Sequence, residues 1–301
     1  MLEIIKYIKK NNIGHISEDI NLSKYTTYKV GGIAKVMVSP KTVEKLILLL
    51  KELKKRNIKY KVLGYGSNLI FSDSEFNGII IKLDQFNNIS INDTTVIAGA
   101  GVSLVKLSYK VMKEGLSGLE FASGIPGTVG GAIFMNAGAY KSDMSCIVSE
   151  VKVVTPDFEV KTLYNSDLEY KYRSSFLQKH EGYICLEAKL VLQRSNTKEI
   201  KDLMEKRRQK RIMLQPLEYP SAGSVFRNPE NDFAGRLIEE CGLKGYTIGG
   251  AKVSEKHANF IINSNNATAK DVRDLIKYVH DTVKEKTNID LKIEQEFVNW
   301  E

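Results

Sequence analysis

The sequence predicts an α+β fold, and three features carry that prediction. Helical and strand-like stretches come in groups rather than in strict strand–helix–strand alternation. Strand-like stretches in the middle of the chain alternate apolar and polar residues, as half-buried antiparallel strands do. Glycine is gathered into a few loops, with seven between Gly115 and Tyr140.

The elements follow in order. Residues 42–57 (TVEKLILLLKELKKRN) place apolar side chains at helical spacing behind a threonine, which predicts an amphipathic helix capped by Thr42. Residues 59–63, 78–83 and 94–100 read as strands. Residues 103–114 form a second helix that Gly115 stops. Residues 148–155, 158–163 and 183–193 are expected to be strands of a mixed or antiparallel sheet. A long charged helix over 197–213 ends before Pro216 and Pro220. A short helix at 234–241 and a strand at 260–263 precede a helix over 268–286, in which Val272, Leu275, Ile276, Val279 and Val283 make one stripe. Residues 290–300 are predicted to close the chain as a strand. Domain boundaries are expected near residue 85 and within 195–215.

Composition narrows the class. The chain has 301 residues, 43% of them hydrophobic and 27% charged, which suits a soluble globular protein of two or three domains. The first fifteen residues are broken by Lys6, Lys9 and Lys10, unlike a secretory signal. The longest strongly apolar patch, residues 46–50, is too short to cross a bilayer. A cytoplasmic protein without membrane insertion, monomeric or weakly homo-oligomeric, is expected. Cys146, Cys185 and Cys241 form no C-x-x-C pair, and the four histidines show no i, i+4 pairing, so neither a disulfide framework nor a metal site is expected. The formal charge of +8 fits nucleic acid or small anionic ligands such as nucleotides. The basic run Lys206-Arg207-Arg208-Gln209-Lys210-Arg211 reads as a solvated helix face as readily as a binding patch, and no RNA-binding aromatic signature accompanies it.

Two glycine-bearing stretches carry the chemistry. In Gly64-Tyr65-Gly66-Ser67-Asn68 two glycines and two short polar residues separate apolar runs. A tight turn needs one glycine; this set predicts backbone N–H groups brought close to an anion. In Gly124-Ile125-Pro126-Gly127-Thr128-Val129-Gly130-Gly131 a rigid turn leads into a predicted helix start whose N–H groups would point outward. Close helix–sheet packing is the alternative account of these glycines. A dinucleotide Rossmann site is disfavoured, because Gly64-x-Gly66 lacks the third glycine and runs into a strand. No P-loop occurs, and Gly223-Ser224-Val225-Phe226 is not a hydrolase nucleophile elbow.

These stretches, with Tyr172-Arg173-Ser174-Ser175, with residues 220–229 (PSAGSVFRNP) and with Lys256-His257-Ala258-Asn259-Phe260, occur in the order and context of one family. The chain resembles the UDP-N-acetylenolpyruvoylglucosamine reductase (MurB) family from about Tyr25 to Glu294. The resemblance implies an FAD-binding domain of the PCMH type over 20–194, in two α+β subdomains (20–84 and 85–194), and a smaller α+β substrate-binding domain over 210–301. It implies an NADPH-dependent flavoenzyme that reduces the enolpyruvyl ether of UDP-N-acetylglucosamine to a lactyl ether, giving UDP-N-acetylmuramate for peptidoglycan, without any nucleic-acid partner.

The resemblance assigns FAD to Gly64, Tyr65, Gly66, Ser67 and Asn68 and to Ser123, Gly124, Ile125, Pro126, Gly127, Thr128, Gly130 and Gly131. It assigns substrate contacts to Tyr172, Arg211, Gln215 and Asn228, and catalysis to Arg173, Ser224 and Glu294. Arg173 would polarise the substrate carboxylate, which its planar fork suits; on pattern alone it could be a surface ion pair. Ser224 would protonate C2, though by pattern alone such a serine is more often a turn or cap residue. Glu294 lies seventy residues after Ser224, as the family spacing requires. The valine usual after that glutamate is replaced by Gln295, so Glu296 stands as a rival. About fifty residues separate Arg173 from Ser224, which resembles the shorter, type II form.

Overall fold

A computed structural model describes residues 1–300. The chain divides into two compact units that interleave along the sequence: the first takes Met1–Glu18, Lys35–Gly64 and Gly78–Gln209, the second Asp19–Ala34, Tyr65–Asn77 and the chain from Lys210 onward.

The first unit is built on one large apolar core. The helix Leu2–Lys10, for which the sequence reading assigned no element, buries Ile4, Ile5 and Ile8 at helical spacing. The predicted helix at 42–57 is Val43–Lys55; Thr42 caps it by accepting from the Lys45 N–H, and Leu46, Leu49, Leu50 and Leu53 are buried. The strand Tyr60–Val62 pairs in parallel with Ile79–Ile81. A five-stranded sheet runs Val160–Tyr164, Val148–Val154, Ile184–Val191, Thr95–Gly99, Ile89–Asn92, and every neighbouring pair is antiparallel. This is the sheet predicted from the alternation in the middle of the chain. The helix Leu104–Lys113 starts on Ser103, whose hydroxyl accepts from the Lys106 N–H. Ile200 and Met204, on the long helix Thr197–Leu214, bury against Met112.

The second unit has its own core. Strands Thr247–Ile248, Ala251–Val253 and Ile261–Asn263 form an antiparallel sheet. The helix Ala269–Thr287 buries the stripe Val272, Leu275, Ile276, Val279 and Val283. Thr268 and Asp271 close a capping box on it, and the Asp73 carboxylate accepts from the Ala269 and Lys270 N–H groups. The predicted closing strand is shorter than expected: only Glu296–Val298 is a strand, parallel to Leu69–Phe71. The chain bends at Gln295 because its side chain turns inward, where it accepts from the Tyr28 hydroxyl (3.2 Å) and donates to the Ala222 carbonyl (3.2 Å). Among the described residues no helix is long and apolar enough to cross a membrane.

Candidate active site and cofactor loops

The first glycine stretch is shaped by its own neighbours. A Cβ at Gly64 would sit 2.9 Å from the Thr128 hydroxyl oxygen, so the absence of a side chain lets the two glycine-bearing segments of the first unit touch. Gly66, in the second unit, has φ +62°, and a Cβ there would meet the Tyr25 carbonyl oxygen at 2.3 Å. Its own carbonyl accepts from the Thr27 N–H at 3.2 Å. In the same unit Asn68 is fixed from both ends: its side-chain amide donates to the Glu294 carbonyl (3.1 Å), and its carbonyl accepts from the Glu296 N–H (2.9 Å).

The second stretch departs from expectation at one point. The predicted helix exists, Val129–Met135, but its first N–H groups do not face outward. Val129 donates to Val102 O, Gly130 to Ala100 O and Gly131 to the Thr128 hydroxyl. A Cβ on Gly130 would lie 3.0 Å from that of Ala100. Close packing therefore accounts for Gly130, the alternative held open from the sequence. The preceding turn differs. Ser123 donates its hydroxyl to the Glu120 carbonyl and Ile125 its N–H to Ala122 O, while no acceptor among the described residues takes the N–H of Gly124 or Gly127. Pro126 lies between them and fixes the turn. Two unengaged main-chain donors on a proline-stiffened turn fit an oxygen-rich anionic cofactor.

Arg173 sits at the tip of a tight turn. Lys171 and Ser174 exchange both main-chain hydrogen bonds (3.1 and 3.0 Å), leaving Tyr172 and Arg173 as the two turn residues. Arg173 has φ +54°, a left-handed conformation that costs a non-glycine residue on the order of 1 kcal/mol. Its Nη2 donates to the Gly138 carbonyl at 2.7 Å, and its guanidinium lies 5.1 Å from the Tyr172 ring centre. Buried Asn136 holds the turn by donating to the Lys171 carbonyl (3.0 Å) while its oxygen accepts from the Ser145 N–H. Ser175, wholly buried, donates to Phe134 O. Tyr172 is half-exposed, so it is not the core aromatic its pattern also allowed.

Ser224 belongs to the second unit, as does Glu294. The segment 224–227 is bonded along both edges. On one side Val225 donates to Asn259 O, and the Asn259 side chain both accepts from the Phe226 N–H (2.9 Å) and donates to the Phe226 carbonyl (2.8 Å). On the other, Arg227 donates to Lys292 O and the Glu294 N–H to Val225 O, both at 2.8 Å. The structure thus brings Asn68, the Ser224 segment and Glu294 together. Glu296 pairs with Leu69 and donates its N–H to the Asn68 carbonyl. Asn259 in turn donates its N–H to His257 Nδ1 (3.2 Å), and burial holds the His257 imidazole below its ordinary pKa.

Of the carried-over substrate residues, Tyr172 lies in the first unit, and Arg211, Gln215 and Asn228 fall in the second. Gln215 has a buried amide oxygen without a hydrogen-bond partner. The Asn228 side-chain oxygen accepts from the Ala234 N–H, which caps the helix Ala234–Glu240 and leaves its amide group for other work. Arg211 accepts the Gln215 N–H at its carbonyl. Sequence reasoning gave no role to Asn136 or Asn259. Both lie inside motifs that resemble the family, residues 135–140 and 256–260, but only the fold shows which backbone each serves. Among the described residues no cluster of three or more His, Cys, Asp or Glu could hold a metal ion.

Comparison with known proteins fixes the class first. The model of the FAD binding domain family matches residues 34–164, so this is an FAD-binding flavoprotein of the PCMH type, with a C-terminal α+β domain. The model described as the C-terminal domain of UDP-N-acetylenolpyruvoylglucosamine reductase matches residues 215–298. The chain is 46% identical to the UDP-N-acetylenolpyruvoylglucosamine reductase of Anoxybacillus flavithermus over 95% of each chain, and 44% identical to that of Bacillus licheniformis over 99% of each. The crystal structure of the Thermus caldophilus enzyme of that name superposes with a TM-score of 0.80 at 35% identity, covering 94% of this chain and 98% of the other. The chain belongs to the UDP-N-acetylenolpyruvoylglucosamine reductase family.

Proposed function

We propose that this FAD-dependent oxidoreductase reduces the enolpyruvyl ether of UDP-N-acetylglucosamine, with NADPH as the electron source, to supply UDP-N-acetylmuramate for peptidoglycan in the cytoplasm. Family membership supports the reaction class. The observation that carries the residue roles is the clamped segment at Ser224, bonded to Asn259 on one edge and to the Glu294 backbone on the other. Residues 20–194 (20–84 and 85–194) would form the cofactor domain and 210–301 the substrate domain; the two family matches, 34–164 and 215–298, fall within those spans.

FAD, when bound, supplies the hydride that goes to the terminal carbon of the enolpyruvyl group. Gly64 to Asn68 and Ser123 to Gly131 would hold that cofactor, with the Gly124 and Gly127 N–H groups as donors to its diphosphate. Arg173 would bind the substrate carboxylate, into which charge spreads as the carbon–carbon double bond is reduced. Holding the guanidinium on a strained, braced turn lowers the cost of orienting it at the moment of reaction. Ser224 would deliver its proton to C2. A serine hydroxyl is a weak acid, so the step depends on exact aim and on a neighbour that steadies the charge, the role given to Glu294. Tyr172, Arg211, Gln215 and Asn228 would bind the sugar nucleotide. The short span between Arg173 and Ser224 supports the type II form, which would act as a monomer or weak homo-oligomer.

Stopped-flow kinetics on Ser224→Ala test this reading. Reduction of bound flavin by NADPH should stay near the wild-type rate, because it involves no proton at C2. The enolpyruvyl half-reaction should slow by about 10²–10⁴-fold, the usual worth of a general acid. Equal slowing of both half-reactions would make Ser224 a structural residue.

A further inference from the structure

Lys82 is a buried lysine that the reaction does not use. It follows the strand Phe76–Ile81, is 7% exposed, and interrupts an apolar run, Ile79-Ile80-Ile81-Lys82-Leu83. Burying an ammonium is costly unless it is bonded. Its Nζ donates to the Gly64 carbonyl at 2.7 Å and lies 3.5 Å from a carboxylate oxygen of the half-exposed Asp84. The Gly64 carbonyl is thus held inward. A trans peptide is planar, with its C=O and the next N–H antiparallel, so the Tyr65 N–H is turned away from the ammonium. No acceptor among the described residues takes that N–H. The bare α-carbon of Gly64 leaves room for the Thr128 side chain, which a Cβ there would meet at 2.9 Å. The loop Gly64-Tyr65-Gly66-Ser67-Asn68 itself contains no cationic side chain.

We propose that Lys82 is a positioning residue of the diphosphate site: its buried ammonium locks the Gly64–Tyr65 peptide so that the Tyr65 N–H faces the cofactor's diphosphate, and it places a positive charge behind that peptide. The assignment rests on the reading of this loop as an FAD contact. Lys82 touches the loop and not the ligand. A low-dielectric surrounding strengthens the field of such a charge on an anion bound over the loop.

The test uses deflavinated protein titrated with FAD, following quenching of flavin fluorescence, with far-UV circular dichroism melts of the flavin-free proteins in parallel. Lys82→Met removes both the bond and the charge; Lys82→Gln keeps a donor but removes the charge. Lys82→Met is expected to raise the FAD dissociation constant at least tenfold and Lys82→Gln at least threefold. The flavin-free melting temperature of Lys82→Gln should stay close to the parent's. An FAD affinity within twofold of wild type in either variant that folds overturns the proposal. So does a loss of affinity that simply tracks a loss of flavin-free stability in both variants, since that is all a merely structural lysine would do. Failure of the loop assignment itself is read separately, from Gly124→Val and Ser67→Val: if those leave FAD binding unchanged, the cofactor lies elsewhere.

Discussion

Arg173 and Ser224, the two residues given the central chemical roles, are held in opposite ways. Arg173 stands on a two-residue turn in a left-handed conformation, and side-chain bonds to distant main chain brace it: Asn136 on the Lys171 carbonyl, Ser175 on Phe134 O, and its own Nη2 on Gly138 O. Ser224 opens an extended segment whose main chain is hydrogen-bonded along both edges. The first arrangement stores strain and depends on long-range packing. The second stores none and is held by main-chain bonds together with the buried side chains of Asn259 and Gln295. Strain allows a planar cation to be aimed from a loop, whereas a weak acid needs a backbone that does not move.

The largest expected effect falls on the partner of the clamped segment. Glu294→Gln should lower turnover by about 10²–10⁴-fold while FAD remains bound, and Glu296→Gln should change turnover little. The two differ in their main-chain partners: Glu294 donates its N–H to the Val225 carbonyl, next to Ser224, and Glu296 donates its N–H to the Asn68 carbonyl and pairs with Leu69. Reversed effects would move the role to Glu296 and break the link between the clamp and the chemistry.

Strain at Arg173 is separable from its charge. Arg173→Ala and Arg173→Gly both lose the guanidinium, and both should lose turnover by about 10²–10³-fold. They should differ in stability: glycine relaxes the left-handed turn, so the Gly variant should be more stable than the Ala variant by about 1 kcal/mol in urea unfolding. Equal stabilities would mean that the turn is not strained. On the other side of the comparison, Asn259→Ala leaves the Phe226 N–H and carbonyl without their side-chain partners, a cost of about 2–6 kcal/mol at roughly 1–3 per buried group. A loss below 1 kcal/mol would show that the clamp is held by the main chain alone.

Local chemistry made much of this legible in the sequence. Thr42, Ser103 and Thr268 cap the helices they were expected to open, and the stripe from Val272 to Val283 is buried as its spacing required. What escaped was set by distant partners. Gly64 owes its bare α-carbon partly to Thr128, sixty-four residues on, and no window of sequence contains that pair. The Val129–Met135 helix was legible, but not that Ala100 and Val102 would consume its first N–H groups. Gln295 looked like a lapse from the family pattern; in the fold it is the buried link to Tyr28 and Ala222 that bends the closing strand. Of the candidate site, the residue types were legible, whereas the supporting residues Asn136 and Asn259 became visible only through the backbones they hold.

The smallest expected effect is a pH dependence of the clamp. The Asn259 N–H donates to His257 Nδ1, which can accept only while the imidazole is neutral at that nitrogen. Burial is the main reason the folded His257 has a pKa below its ordinary value of 6.5, and the Lys244 charge adds to the lowering. The unfolded chain therefore binds a proton at a higher pH than the folded one. The stability contributed by neutral His257 is complete above pH 6.5 and is lost as pH falls from there toward the folded pKa. Other groups also titrate, so the measurement is a difference: urea unfolding of wild type and of His257→Gln, each at pH 7.5, 6.5 and 5.5. The wild type should lose stability relative to the variant as the pH drops. A difference that stays constant over that range would show that His257 titrates alike in both states and that protonation does not loosen the Asn259 clamp.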